Sequence, residues 1–151
     1  MGANDEELGV LVVEQDEDLR HWLVRLLGLS EGFQVVGCLD RDLDLTGETL
    51  RLRPDLLLLD THTAGRLAPE TLPGLRQALP GLYVVLMDLE EGPNYERLAR
   101  RGGADGFLCK VRVPESLEKL RAAVIAKARQ AAGAGGTADP PPAAAVRGRV
   151  D

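Results

Sequence analysis

Five short apolar segments alternate with segments of helical length, and this alternation constrains the fold more than any other feature. The apolar segments are 8–14, 33–39, 55–60, 82–88 and 106–110. They are almost continuously hydrophobic, which is typical of strands that are covered on both faces in a parallel sheet. The helical segments between and after them are 17–29, 46–53, 70–79, 93–101 and 114–129. The pattern predicts an α/β fold with a doubly wound, five-stranded parallel sheet.

The length and the terminal composition indicate one domain with flanking segments. Residues 1–7 are mostly polar or acidic, and we expect them to be disordered, whereas residues 8–130 carry the strand and helix pattern. Residues 131–151 are rich in alanine, glycine and proline without apolar periodicity, which predicts a disordered tail or linker. The chain has neither a signal-peptide pattern nor an apolar run long enough to span a bilayer, so we expect a cytoplasmic protein without a membrane partner.

Charge and metal-ligand counts exclude several classes of function. The net charge of −6 argues against nucleic-acid binding by this domain, since phosphate contacts need clustered lysine and arginine. Cys38 and Cys109 form no Cys-x-x-Cys pair, and we expect both to be buried, unpaired residues in a reducing compartment. With only His21 and His62 besides, no zinc cluster can form, and no organic cofactor is predicted.

Ionisable residues stand at the ends of four predicted strands. Glu14, Asp60, Asp88 and Lys110 end the first, third, fourth and fifth strands. Because ligands of parallel α/β sheets bind outside the carboxyl ends of the strands, we expect these side chains to converge on one rim. Three carboxylates this close repel one another unless a cation lies among them, either Lys110 or a divalent metal. Oxygen ligands alone point to Mg²⁺.

Three motifs around these residues resemble the receiver domain of two-component response regulators, over about residues 8–128. They are "VLVVEQDED", "RPDLLLLDTHTAG" and "GGADGFLCK". The resemblance implies a flavodoxin-like sheet with strand order 2-1-3-4-5, a signalling role in a phosphorelay and no enzymatic activity of its own. It implies that Asp60 is the phosphoryl acceptor, that Lys110 is the family's lysine, and that Glu14, Gln15 and Asp60 hold Mg²⁺.

The resemblance also implies an interaction surface and partners. In the family, the face made by the fourth helix, fifth strand and fifth helix of the (βα)5 pattern carries dimerisation and output contacts. We therefore expect a homodimer through this face, and a sensor histidine kinase or another signalling protein as partner. Phe107 stands at the family's switch aromatic, and the other residues expected on this face are Tyr95, Arg97, Leu98 and Arg101.

Two departures from the family pattern favour an atypical receiver with impaired or absent phosphorylation that acts as a protein–protein interaction module. Gln15 replaces an acid that helps to hold the metal, and an amide oxygen is a poorer Mg²⁺ ligand than a carboxylate. Asp88 stands where the family has Thr or Ser, and an ionised carboxylate cannot donate a hydrogen bond to a phosphoryl oxygen. We expect Lys110 to pair with Asp60 or Asp88 and to hold one conformation. In the alternative reading, Asp88 substitutes as a metal ligand and Asp60 still accepts a phosphoryl group.

Other readings of the same residues are possible. Residues 60–65 spell Asp-x-His-x-x-Gly, which resembles a cobalamin-binding motif, but that motif follows the first strand of its domain and this one follows the third. A haloacid-dehalogenase-type phosphohydrolase requires a second aspartate where His62 stands. Finally, Glu14, Asp88 and Lys110 could form a structural ion-pair network that binds no ligand.

Overall fold

Five strands and six helices alternate along residues 7–42 and 44–134, the part of the chain that the computed structural model describes. The strands are β1 (Leu8–Val13), β2 (Phe33–Leu39), β3 (Leu56–Asp60), β4 (Tyr83–Asp88) and β5 (Gly106–Cys109). The helices are α1 (Glu17–Gly28), α2 (Leu45–Leu52), α3 (Thr61–Ala64), α4 (Thr71–Ala78), α5 (Pro93–Arg101) and α6 (Val113–Ala134). Every predicted strand is confirmed, with its ends within one residue of the expected positions. A 3-10 turn at Lys110–Arg112 and the short α3 were not predicted.

The strands form one parallel sheet in the order β2-β1-β3-β4-β5, as expected. The order places β3 at the centre, where every one of its five residues is buried. This position explains the uninterrupted leucine run, because helices cover both faces of a central parallel strand. It also places the last residue of β3, Asp60, in the middle of the carboxyl edge.

Two apolar layers cover the two faces of the sheet. On one face, α1 and α6 pack against alternate strand residues such as Val12 and Leu58. On the other face, α2, α4 and α5 pack against the intervening residues, such as Val13 and Leu59. Full burial of each such leucine or valine stabilises the fold by about 1.5–3 kcal/mol. Because successive side chains of a strand point to opposite faces, helices pack on both sides of the sheet. The carboxyl edge stays open for polar groups.

One carboxylate ties the two helical layers together at the end of the sheet where β4 begins. Asp105 precedes β5, and its Oδ2 accepts a hydrogen bond of 2.8 Å from the N–H of Val84. The same oxygen pairs with Arg76 of α4 at 2.8 Å, and Oδ1 pairs with Lys127 of α6 at 2.8 Å. Because α4 and α6 lie on opposite faces, Asp105 links both faces to the first residues of β4.

Helix boundaries follow capping and composition. As predicted, Asp16 caps α1, since its Oδ1 accepts a hydrogen bond of 2.9 Å from the N–H of Leu19. The last helix reaches Ala134, five residues past the predicted helix end at residue 129, because its alanine-rich end has high helix propensity. The remaining predicted flanks, 1–6 and 135–151, lie outside the described residues. None of the helices in the described ranges is long and apolar enough to cross a membrane.

The two cysteines differ in exposure. Cys109 is buried at the end of β5, as expected, but Cys38 is exposed, so its prediction as a buried residue is wrong. The reason is topological: Cys38 lies on β2, which is an edge strand with a hydrogen-bonded neighbour on one side only. A hydrophobic run indicates a strand, but it does not indicate whether that strand is central or at the edge.

Candidate functional site

A buried ion-pair triad lies at the carboxyl edge of the sheet. The Nζ atom of Lys110 lies 2.8 Å from Oδ1 of Asp60 and 2.9 Å from Oε1 of Glu14. The three side chains are 8%, 5% and 1% exposed, respectively, so water screens these charges little. Lys110 thus forms an ion pair with each carboxylate, and its contact with Asp60 is also a hydrogen bond. The pairing of Lys110 with Asp60 matches the expectation, and Glu14 is the second partner.

The two carboxylates set the charge state of Lys110. Burial alone would lower the pKa of its ammonium group, but hydrogen bonding to Asp60 and Glu14 and the charges of both carboxylates outweigh burial and raise the pKa. The lysine is therefore protonated at neutral pH. One ammonium serves two buried carboxylates, and the triad as a whole carries one net negative charge.

Backbone N–H groups hold the remaining carboxylate oxygens. Oε2 of Glu14 accepts a hydrogen bond of 3.0 Å from the N–H of Asp16. Oδ2 of Asp60 accepts a longer hydrogen bond of 3.4 Å from the N–H of Thr63, because Asp60 is also the N-cap of α3. The guanidinium of Arg20 donates to the carbonyl of Glu14 at 2.9 Å. Each triad carboxylate thus lies at the end of a strand and is held by an N–H group at the start of the segment that follows.

Two of the three predicted Mg²⁺ ligands, Glu14 and Asp60, meet at this edge, and their role as metal ligands stays a prediction. The side chain of Gln15 is exposed, and the carboxylates of Glu14 and Asp60 already share the ammonium of Lys110. Within the described ranges, no three acidic, histidine or cysteine side chains are arranged to hold a metal ion. A divalent cation at this edge would displace the ammonium or sit beside it, with Glu14 and Asp60 as its carboxylate ligands.

Asp88 lies at the same edge but outside the triad. Its Oδ2 accepts a hydrogen bond of 2.5 Å from the hydroxyl of Thr61, and its Oδ1 accepts one of 3.2 Å from the N–H of Glu90. Partial burial acts to raise the pKa of this carboxyl, but the Thr61 hydroxyl, the N–H groups of Glu90 and Leu89 and the charge of Lys110 together lower it. Asp88 is therefore ionised, and its fixed partners are neutral donors.

The sequence reasoning overlooked Thr61. This residue directly follows Asp60, and its hydroxyl joins the start of α3 to the end of β4. A signal was present in the sequence: the fourth strand ends in an acid where the family has a hydroxyl, and a hydroxyl stands beside the acceptor position. A carboxylate near a rim of like charges needs a donor, and Thr61 follows Asp60, the acid that ends the neighbouring strand.

The predicted interface residues lie on α5 and β5. The rings of Tyr95 and Phe107 stack with centroids 5.6 Å apart, and both side chains are half-buried. Leu98, Arg97 and Arg101 are exposed on α5, and Leu98 is 62% exposed. These five residues are called the α5 face below. The structure thus places an apolar and a basic group beside the stacked rings.

Comparison with known proteins identifies the fold and the family. The chain is 34% identical to the response regulator GacA of Pseudomonas aeruginosa over 102 residues, which are 67% of this chain and 47% of that protein. It is 26% identical to the nitrate/nitrite response regulator protein homolog of Haemophilus influenzae, over 74% of this chain and 54% of that protein. The response regulator domain of Thermotoga maritima CheB superposes with a TM-score of 0.64 at 25% identity, covering 79% of this chain and 97% of that domain. No protein-family model matches the chain.

The chain carries a response-regulator receiver domain. It spans about half the length of the curated relatives that it matches. In this receiver domain, the carboxyl edge of the sheet, where phosphoryl chemistry would take place, holds the carboxylates of Glu14, Asp60 and Asp88 and the ammonium of Lys110.

Proposed function

We propose that this receiver domain is an atypical one, in which phosphorylation of Asp60 is impaired or absent and the domain acts as a protein–protein interaction module. The observation that carries the proposal is the carboxylate of Asp88. It stands at the end of β4, where the family has a hydroxyl, and it is held there as an acceptor by Thr61. An ionised carboxylate offers a phosphoryl oxygen no hydrogen bond.

Charge at the site opposes phosphorylation. A phosphoryl group on Asp60 would bring nearly two negative charges to an edge where one ammonium already serves two carboxylates. At about 4 Å and an effective dielectric of about 20, each pair of like unit charges costs about 4 kcal/mol. Repulsion between one phosphoryl charge and the carboxylate of Asp88 would therefore offset a large part of the free energy available for a conformational switch.

Fixed contacts hold one arrangement of the edge without a phosphoryl group. Lys110 joins the turn after β5 to the ends of β1 and β3 through its two ion pairs. The hydrogen bond from Thr61 to Asp88 joins the start of α3 to the end of β4. We infer that the α5 face is presented constitutively, to a second copy of this domain or to another signalling protein such as a sensor histidine kinase.

A phosphorylation-competent receiver is the second candidate, and one observation favours it. The lowered pKa of Asp88 keeps this carboxyl ionised, which is the state that a metal ligand requires. If Asp88 turned toward Asp60 and released Thr61, it could replace the acid missing at Gln15. The Thr61 hydroxyl would then be free to donate to a phosphoryl oxygen.

Intact-mass spectrometry separates the two candidates. The protein is incubated with acetyl phosphate and Mg²⁺ beside the Asp60→Asn variant and a phosphorylation-competent receiver domain as positive control. We expect no phosphoryl adduct on the parent protein and an adduct on the positive control. The Asp88→Thr variant, which restores the family hydroxyl, is expected to gain an adduct that depends on Asp60.

Whether a phosphoryl adduct forms on the parent protein decides between the two candidates. An adduct that forms on the parent as fast as on Asp88→Thr, and disappears in Asp60→Asn, would refute the atypical assignment and establish the second candidate. No adduct on the parent, with an adduct on Asp88→Thr, would support it, because the same protein would then be competent once the carboxylate is removed.

A further inference from the structure

An open cavity of about 400 Å³ lies between the segment after β3 and helix α5. Its walls are predominantly apolar, and the larger side chains are Leu67, Leu72, Leu86, Tyr95, Leu98 and Phe107. The volume falls within the range of small-molecule sites, which are mostly apolar with a few polar groups that fix orientation. Residues of α3, β4, α5 and β5 contribute to it, so the cavity is formed by the fold and not by one loop.

The cavity has one charged group in its lining. Asp88 and Thr61 both line it, and the remaining lining side chains are apolar apart from the phenol of Tyr95. The hydroxyls of both Tyr95 and Thr61 already donate, to Glu90 and to Asp88 respectively, at 2.5 Å. The polar contribution of the lining is therefore the negative charge of Asp88.

That charge has no ion-pair partner within the described ranges. Its hydrogen-bond partners, Thr61 and the N–H of Glu90, are neutral donors. The charge of Lys110 acts on Asp88, but Lys110 makes its ion pairs with Glu14 and Asp60. A carboxylate that borders apolar surface attracts a cation more strongly than one in open water, because the local dielectric is lower.

We propose that this cavity binds a small organic cation, an aromatic or branched alkyl amine, with its ammonium group at Asp88 and its apolar part between the segment after β3 and α5. The apolar part would cover Leu67, Leu98 and the ring of Phe107. Two aromatic rings in the lining add cation–π attraction that a neutral or anionic ligand lacks. An anion would meet Asp88 and the net negative charge of the neighbouring triad.

The proposal goes beyond the signalling role, and the cavity shares Tyr95, Leu98 and Phe107 with the α5 face. Binding requires the cavity and the charge of Asp88, not the chemistry of Asp60. The test is therefore run without a phosphodonor and without Mg²⁺, so that phosphorylation of Asp60 plays no part in its result.

Three matched probes separate charge from apolar contact. Phenethylamine, 2-phenylethanol and 3-phenylpropanoate carry a cationic, a neutral and an anionic head on the same phenylethyl group. Each is titrated into the ¹⁵N-labelled full chain, and amide shifts are followed by NMR. We expect saturable shifts at cavity residues with the amine, affinity about three- to fivefold weaker with the alcohol, and no saturable shifts with the carboxylate.

Charge and cavity variants test the assignment. Asp88→Asn should remove the preference for the amine over the alcohol, whereas Glu96→Gln, which removes the same charge from exposed α5 outside the cavity lining, should keep it. Ala68→Phe adds bulk at the exposed rim and should weaken amine and alcohol alike.

Salt dependence on the unmodified chain makes the test independent of how well Asp88→Asn folds. Added sodium chloride should weaken binding of the amine and leave binding of the alcohol unchanged, because salt screens the partly exposed ion pair. Equal affinity for amine and alcohol, or shifts confined to residues outside the cavity, would overturn the proposal.

Discussion

The hydroxyl of Thr61 donates a 2.5 Å hydrogen bond to the carboxylate of Asp88, across 27 positions in the chain. The donor begins helix α3 directly after Asp60, and the accepting carboxylate ends β4. Asp88 thus stands on β4 where the family has a hydroxyl, and the hydroxyl that binds it comes from Thr61, the residue after Asp60. Three consequences of this edge and one of the α5 face can be measured.

Removing the Thr61 hydroxyl should destabilise the domain. Thr61→Val keeps the shape of the side chain but leaves Asp88 without its closest donor, and we expect the free energy of unfolding to fall by about 1–2 kcal/mol. Thr61→Ser retains a hydroxyl and is expected to lose less. Urea unfolding at neutral pH measures both. A larger loss in Thr61→Ser than in Thr61→Val would mean that the methyl contact, and not the hydrogen bond, stabilises the loop.

Replacing Lys110 should be more costly. Lys110→Met removes the ammonium and leaves Glu14 and Asp60 buried without a counter-charge, for which we expect a loss of about 3–5 kcal/mol at neutral pH. The double variant Lys110→Met/Asp60→Asn should recover part of this loss, since it removes one of the stranded charges. A matched control is Lys127→Met, because Lys127 pairs with Asp105 at the same distance but is 20% exposed. If the Lys127 variant were as destabilised as the Lys110 variant, burial of the triad would not be the cause.

Asp88 should make stability depend on pH on the acid side. Its pKa is lower in the folded domain than its ordinary value of 3.8. The folded state therefore binds fewer protons, and the stabilisation by Asp88 is complete above the ordinary pKa and is lost as pH falls through the folded value. Urea unfolding between pH 7 and pH 3 should show a smaller acid loss in Asp88→Asn than in the parent. Identical pH profiles would show that the hydrogen bonds of Asp88 do not favour its ionised form.

The α5 face should control self-association. Leu98 is 62% exposed beside the stacked rings, and Leu98→Asp places a charge on this apolar surface. We expect sedimentation velocity to show a dimer for the parent chain and a monomer for this variant. Leu29→Asp is the matched control, because Leu29 is 83% exposed but follows α1, and its dimer should persist. A parent chain that is monomeric at all concentrations, or a dimer lost equally in both variants, would contradict this surface.

Hydrophobic pattern predicted the sheet well, and strand-end residues predicted part of the site. The leucine run before Asp60 could only suit a strand covered on both faces, and it is the central strand. The same reasoning placed Lys110 beside Asp60, since parallel strands end at one edge. Hydrogen bonds between particular side chains were harder to predict. The sequence placed Asp88 at the rim, but it did not indicate that Asp88 accepts a hydrogen bond from Thr61.

The errors have a common physical origin in tertiary context. Cys38 was assigned to the core because its segment is apolar, but exposure depends on the strand's place in the sheet, and β2 lies at the edge. The end of α6 was placed too early because glycine and alanine were read as a linker composition. In the structure, that stretch continues a helix that is already packed, which needs only good propensity to propagate.

Helix α5 buries a single residue, Ala99, whereas α6 contributes Val113, Leu117, Leu120 and Val124 to the core. A small side chain removes little apolar surface from water, so the attachment of α5 to the sheet contributes little free energy. Its amide hydrogens should therefore exchange through low-energy local opening, well before those of α6 exchange through global unfolding. Helix α5 carries the α5 face, and its displacement would cost little free energy. A partner that binds this face could therefore shift the helix without unfolding the domain.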